Sequence, residues 1–193
     1  IFDYFDVAVY HKRIRTRLPL YREWLQQAGK KYQIPWTLLA AQGYQESHWD
    51  QEARSPTGVR GIMMLTQRTA ESLGVSDRTD PYQSIVGGAK YLARMIKRVP
   101  ETVAEEDRLR FALVAYNVGF GHLLDARKLA VRLGKNPDIW PALKTVLPLL
   151  SQKKYYKQLK YGYARGTEPV RYVERIENYR DILEQRMDSI PAL

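Results

Sequence analysis

Among the carboxylates of this 193-residue chain, Glu46 stands out by its neighbours. At about 100° per residue it falls on a helical stripe with Leu38, Leu39, Gln42 and Trp49. A Glu on a core-facing stripe is uncommon because burying its charge is costly. Desolvation there favours the protonated form, and a proton held near neutral pH is what a general acid needs. The competing reading is a Glu at the rim of the stripe, paired with an Arg or capping a loop. Asp50, four residues on, is a candidate second carboxylate if the helix persists that far, though it reads as lying beyond the helix.

Glu46 leads into a loop rich in Gly, Ser, Thr and Pro over residues 50–65. Gly58 and Gly61 allow positive φ and close backbone approach. The run Gly61-Ile62-Met63-Met64-Leu65-Thr66 either walls a cleft or plugs the core with its methionines. A second cluster, Ala115-Tyr116-Asn117-Val118-Gly119, puts a hydroxyl and an amide at one helix end. Both groups suit sugar hydroxyls or N-acetyl amides. Asn as a plain helix-terminal cap is the alternative.

Other chemistries lack support. His11, His48 and His122 share no i, i+3 or i+4 spacing, so a histidine metal motif is absent. There is no Cys, hence no disulfide, thiolate metal site or cysteine nucleophile. No G-x-S-x-G or P-loop occurs. No apolar run approaches the roughly 18 residues a membrane helix needs. The chain opens at Ile1 without a charged or apolar leader, which reads as a processed or truncated piece. With 31 Lys and Arg against 21 Asp and Glu the net charge is +10, spread over both halves. That suits an anionic partner such as nucleic acid, an acidic membrane or a wall polymer, or serves solubility alone. Lys144, Lys153, Lys154, Lys157, Lys160 and Arg165 lie in an acid-free stretch interleaved with Tyr155, Tyr156, Tyr161 and Tyr163. It reads either as a sugar- and carboxylate-binding ledge or as a solvated helix with core-facing tyrosines.

The elements that must position these residues are helical almost throughout. Helices are expected from Pro19 to Tyr32, from Pro35 to His48, from Thr66 to Leu73 with Gly74 as stop, and from Asp80-Pro81 to Arg98. Further helices are expected over 104–117, 120–133 and 170–187, with Pro137, Pro141 and Pro148 chopping the stretch between the last two. Residues 1–18 lack a clean period and read as a linker remnant or amino-terminal extension. Residues 19–193 read as one compact all-α domain.

Four ordered blocks then carry a resemblance: Glu46-Ser47, Gly58-x-x-Gly61-Ile62-Met63, Ala115-Tyr116-Asn117-Val118-Gly119 and Tyr172-Val173. Together they resemble the family 1 lytic transglycosylases, whose domain is related to goose-type lysozyme. Met64, where other branches carry Gln, resembles the membrane-bound lytic transglycosylase F branch. Val59, Val118 and Val170 also depart from the family pattern. The resemblance implies a lysozyme-like helical fold and cleavage of the β-1,4 bond between N-acetylmuramic acid and N-acetylglucosamine without water. It makes Glu46 both acid and base, and makes Ser47, Met63, Met64, Tyr116, Asn117, Glu168 and Tyr172 substrate-binding residues. It implies no metal and no cofactor. The implied partners are peptidoglycan glycan strands and stem peptides, with a solute-binding-like domain ahead of this one, at the periplasmic face of the outer membrane. Rivals are a hydrolytic muramidase, a silent wall-binding module and a basic nucleic-acid binder. The last lacks any helix-turn-helix or other named module, so nucleic acid is not expected as a partner.

Overall fold

The computed structural model describes residues 4–188. Among them the regular structure is helical: α1 Tyr4–Thr16, α2 Arg22–Tyr32, α3 Trp36–Ser47, α4 Gln67–Leu73, α5 Pro81–Arg98, α6 Glu105–Val118, α7 Phe120–Arg132, α8 Trp140–Val146, α9 Lys153–Tyr156 and α10 Thr167–Asp188. The expected all-α class holds. None of the described helices is long and apolar enough to cross a membrane.

The chain forms two compact units, residues 4–91 with 176–188, and residues 92–175. The boundary falls inside α5 and inside α10. In the first unit, α2 and α3 form a hairpin. Gln33 adopts the left-handed conformation and donates its N–H to Gly29 O, and Ile34 N–H donates to the same carbonyl. Gly29 is needed for this approach, since a Cβ there would lie 2.7 Å from Ile34 O. The Thr66 side chain caps α4 by accepting from Thr69 N–H, and left-handed Gly74 ends it. Asp80 Oδ1 accepts from Gln83 N–H at 2.7 Å, so Asp80-Pro81 opens α5 as their residue types dictate.

In the second unit, α6 and α7 are separated only by Gly119. Arg108 donates to the carbonyls of Ile96, Val99 and Pro100, satisfying the end of α5. Asp107, 4% exposed, accepts from Trp140 N–H and so anchors the start of α8. Gly166 allows the chain to cross Leu147 O, which a Cβ would approach to 1.6 Å.

Two expectations on the elements change. The stretch 1–18, without a clean period in sequence and read as a linker remnant or amino-terminal extension, is helix α1 from Tyr4 and a 3-10 turn over Leu18–Leu20; residues 1–3 lie outside the described set, as do residues 189–193 at the other end of the expected domain. Tyr10, Ile14 and Leu18 recur every four residues and are buried; the run of arginines between them hides that period. Helix α10 begins at Thr167 rather than Val170, because Pro169 is tolerated in a first turn, where its missing N–H would have no partner anyway.

Candidate active site

Helix α3 is buried nearly all round: every residue from Thr37 to Tyr44 and Ser47 is buried. The helical stripe on which Glu46 was placed therefore does not exist as a face. Glu46 is half-buried in the last turn, one of the few α3 side chains that reach the surface. Trp49 lies two residues beyond the last residue of the helix. Its burial has a tertiary cause. His48 and Trp49 both take φ of 54°, turning the chain back along α3. The indole then donates to Ala40 O at 2.9 Å, and Trp49 is 1% exposed.

The carbonyls of this helix end are taken up in turn. Ser47 Oγ donates to Gly43 O at 3.0 Å, His48 N–H to Tyr44 O at 2.8 Å and Asp50 N–H to Ser47 O at 3.0 Å. Asp50 is exposed beyond the helix, where its carboxylate accepts Glu52 N–H in a local turn. It is not one helical turn on from Glu46.

The loop after α3 is knitted by single bridges, Arg54 with Arg60 and Arg60 with Leu65. Arg78 Nη1 donates to the carbonyls of Gly58 and Leu65, each at 2.9 Å. Gly61 has φ of 83°, and a Cβ there would lie 2.1 Å from Arg78 O. Both conformation and space thus require glycine. Met63 is fully buried; its N–H donates to Ser84 Oγ, and its side chain lies against Gly88, where a Cβ would come within 2.6 Å. Met63, expected as a substrate-binding residue, has a fully buried side chain in this structure. Met64, left-handed at φ 49°, is half-buried. Glu46, Ser47, Met63 and Met64 are therefore gathered by α3 and its loop within the first unit.

The remaining expected residues belong to the second unit. Tyr116 is half-buried and Asn117 exposed at the end of α6, where Gly119 at φ 98° ends the helix. Glu168 is exposed in the first turn of α10, 3.9 Å from Arg171, and Tyr172 is 4% exposed one turn on. Before α10 runs the basic, tyrosine-rich stretch. Lys153, Lys154, Lys157, Lys160 and Arg165 are exposed. Tyr161 and Tyr163, 46% and 54% exposed, face solvent rather than the core. Lysines 154 and 160 sit over the rings of Tyr155 and Tyr161. The stretch is fastened by Asp125, 3% exposed, which accepts Tyr161 N–H at 2.7 Å. Gly121 leaves room for the Tyr161 ring, which a Cβ would meet at 2.6 Å. Sequence reasoning missed Asp125 and Gly121. An Asp in mid-helix and a glycine two residues after a glycine stop were the signals.

Residues 23–139 match the family model described as Transglycosylase SLT domain. The chain belongs to that family. Over 187 residues it is 58% identical to membrane-bound lytic murein transglycosylase F 2 of Alkalilimnicola ehrlichii, covering 97% of this chain and 42% of that protein. It is also 58% identical, over 182 residues, to membrane-bound lytic murein transglycosylase F of Maricaulis maris, covering 94% of this chain and 40% of that one. The SLT chain here thus spans about two fifths of the length of the curated relatives it matches. An X-ray structure of an inactive mutant of the lytic transglycosylase Slt from Pseudomonas aeruginosa is similar with a TM-score of 0.61 and 20% identity, covering 88% of this chain and 24% of that chain. That likeness is one of fold, and it agrees with the expected lysozyme-like helical architecture. The SLT match includes Glu46, Ser47, Met63, Met64, Tyr116 and Asn117. It ends before Glu168 and Tyr172 and begins after α1.

Proposed function

We propose that this chain is the catalytic part of a peptidoglycan lytic transglycosylase with Glu46 as its single acid and base. The observation that carries the reading is the half-buried Glu46 at the wound end of α3, inside the SLT match. Glu46 gives its proton to the oxygen between N-acetylmuramic acid and N-acetylglucosamine as the C1–O bond breaks. The substrate's own 2-acetamido oxygen supports the anomeric carbon. The Glu46 carboxylate then takes the proton of the C6 hydroxyl, whose oxygen closes on C1 to give the 1,6-anhydro ring. Atoms balance without water, and Glu46 ends protonated as it began. We assign Ser47, Met64, Tyr116, Asn117, Glu168 and Tyr172 to sugar and peptide binding, with Met63 shaping the loop from behind.

The greater length of the relatives supports a further domain in the whole protein, which we assign to the solute-binding type. Their membrane-bound names support a place at the periplasmic face of the outer membrane.

The test is digestion of purified peptidoglycan followed by mass spectrometry. Non-reducing products lighter by one water molecule are expected. Mostly reducing-end muramic acid would instead make the protein a muramidase. Glu46→Gln should lower turnover by at least about 10²–10⁴-fold with an unchanged circular dichroism spectrum. Wild-type turnover in that variant would overturn the assignment.

A further inference from the structure

The mechanism asks one carboxylate to serve twice, so its position matters at both steps. Yet the helix end that carries it is unusual. Two consecutive non-glycine residues, His48 and Trp49, hold left-handed φ directly after Ser47. Such residues cost about 1–3 kcal/mol each and persist only when their surroundings over-determine them. The surroundings here include a helix outside the SLT match. Arg17, just past the end of α1, donates to His48 O at 2.9 Å. Arg13 donates to Tyr44 Oη at 3.0 Å and lies over the Tyr44 ring. Tyr10, fully buried, packs its ring 4.5 Å from Tyr44 and 5.7 Å from Trp49, and donates its hydroxyl to Tyr179 O. The Tyr44 and Trp49 rings in turn lie 4.8 Å apart, tilted at 59°.

We propose that Arg17 is a positioning residue for Glu46, with α1 as its rigid mount: by holding the His48 carbonyl it locks the left-handed turn that ends α3 and so fixes the carboxylate two residues earlier. The charge suits the place. A cation at a helix C-terminus meets the negative end of the peptide dipoles and satisfies a carbonyl that the helix leaves over. The aromatic plug of Tyr10, Tyr44 and Trp49 stops the turn from swinging as a unit. Without Arg17, the fold loses one exposed hydrogen bond, while the last turn of α3 gains freedom at the residue where chemistry is least tolerant of it.

The inference rests on Glu46 as the acid and base, and the experiment separates the two. Steady-state kinetics of the 193-residue chain on solubilised glycan strands are measured well below the melting temperature. Arg17→Ala should lose about 10-fold in kcat with KM within about two-fold, since small misplacements of a reacting group cost up to about 10²-fold. Arg17→Lys, which keeps a cationic donor, should regain most of that loss. Glu184→Ala removes contacts with Arg180 and with Thr37, in the first turn of α3 and so at the opposite end of that helix from Glu46. It should lower the melting temperature and leave kcat unchanged. If Arg17→Ala keeps wild-type kcat while Glu46→Gln is inactive, the positioning role falls and the reading of Glu46 stands. If kcat in Arg17→Ala and Glu184→Ala merely tracks melting temperature, Arg17 is a stability contact and the proposal is overturned. If Glu46→Gln turns over normally, both fall.

Discussion

Two helix ends in this molecule solve the same problem differently. Helix α6 stops at Gly119, whose φ of 98° no side chain opposes and beside which a Cβ would meet nothing within 4 Å. Helix α3 stops at His48 and Trp49, which carry side chains into left-handed φ. The first end needs only its own residue types. The second is held from outside, by Arg17 on its carbonyl and by the Tyr10–Tyr44–Trp49 plug behind it. The difference shows how conformational strain is held beside the proposed acid: by support from a distant part of the chain.

The loop after α3 gives the sharpest contrast with Gly119. Gly61→Ala should destabilise by more than about 3 kcal/mol, because its Cβ meets the Arg78 carbonyl as well as an unfavourable φ. Gly119→Ala meets only the φ penalty and should cost about 1–3 kcal/mol. Chemical denaturation measures both, and equal costs would mean that the loop yields where the structure shows contact. Within the adjacent methionine pair, Met63→Ala should cost about 2–5 kcal/mol by leaving a cavity, whereas Met64→Ala should cost under about 1 kcal/mol. The reverse order would invert which of the two faces inward.

The plug behind α3 has a pH signature. Burial, followed by the neighbouring Tyr44 and Tyr179 hydroxyls, pushes the Tyr10 hydroxyl well above the usual tyrosine range. A raised acid group contributes stability fully below its unfolded pKa of about 10 and loses it as pH rises further. Unfolding free energy should therefore be level in this respect up to about pH 9 and then fall by up to about 1.4 kcal/mol per pH unit for this group. Tyr10→Phe should flatten that fall, as urea titrations at about pH 8 and about pH 11, either side of the unfolded pKa, would read out. An unaltered slope would place the plug in contact with solvent.

Gln33 ends α2 at φ 56° with an exposed side chain. Lacking the outside support given to His48, it should be improved by glycine. Gln33→Gly is expected to gain about 0.5–1 kcal/mol, less than the full left-handed penalty because glycine also frees the unfolded chain. The smallest effect concerns the second unit's exposed lysines. Attraction to an anionic wall polymer is screened over about 8–10 Å at physiological salt. Raising salt, or replacing Lys153, Lys154 and Lys157 together, should weaken sedimentation with peptidoglycan. Turnover of a short saturating glycan should not change. Salt-independent binding would leave those lysines to solubility alone.

Residue types alone determined much of this protein. The stops at Gly74 and Gly119, the Asp80-Pro81 start and the all-α class come from local rules: a glycine frees φ, a proline forbids a helix interior, and an Asp accepts a first-turn N–H. The ordered blocks from Glu46-Ser47 to Tyr172-Val173 marked the family before any contact was known, because they are words written in residue identity. Facing was another matter. Helix α3 is buried on nearly every side, so its periodicity carried no information about which way Glu46 points. Met63 and Met64 are chemically identical, and only the folded chain left one fully buried against Gly88 and the other half-buried at a left-handed φ. Helix α1 read as a linker because arginines mask its four-residue apolar period. Its value lies in partners 31 residues or more away in sequence. Local propensity reports what a segment can do by itself. Burial, strain and the orientation of a carboxylate are set by what packs against it, and that is decided only when the chain has folded.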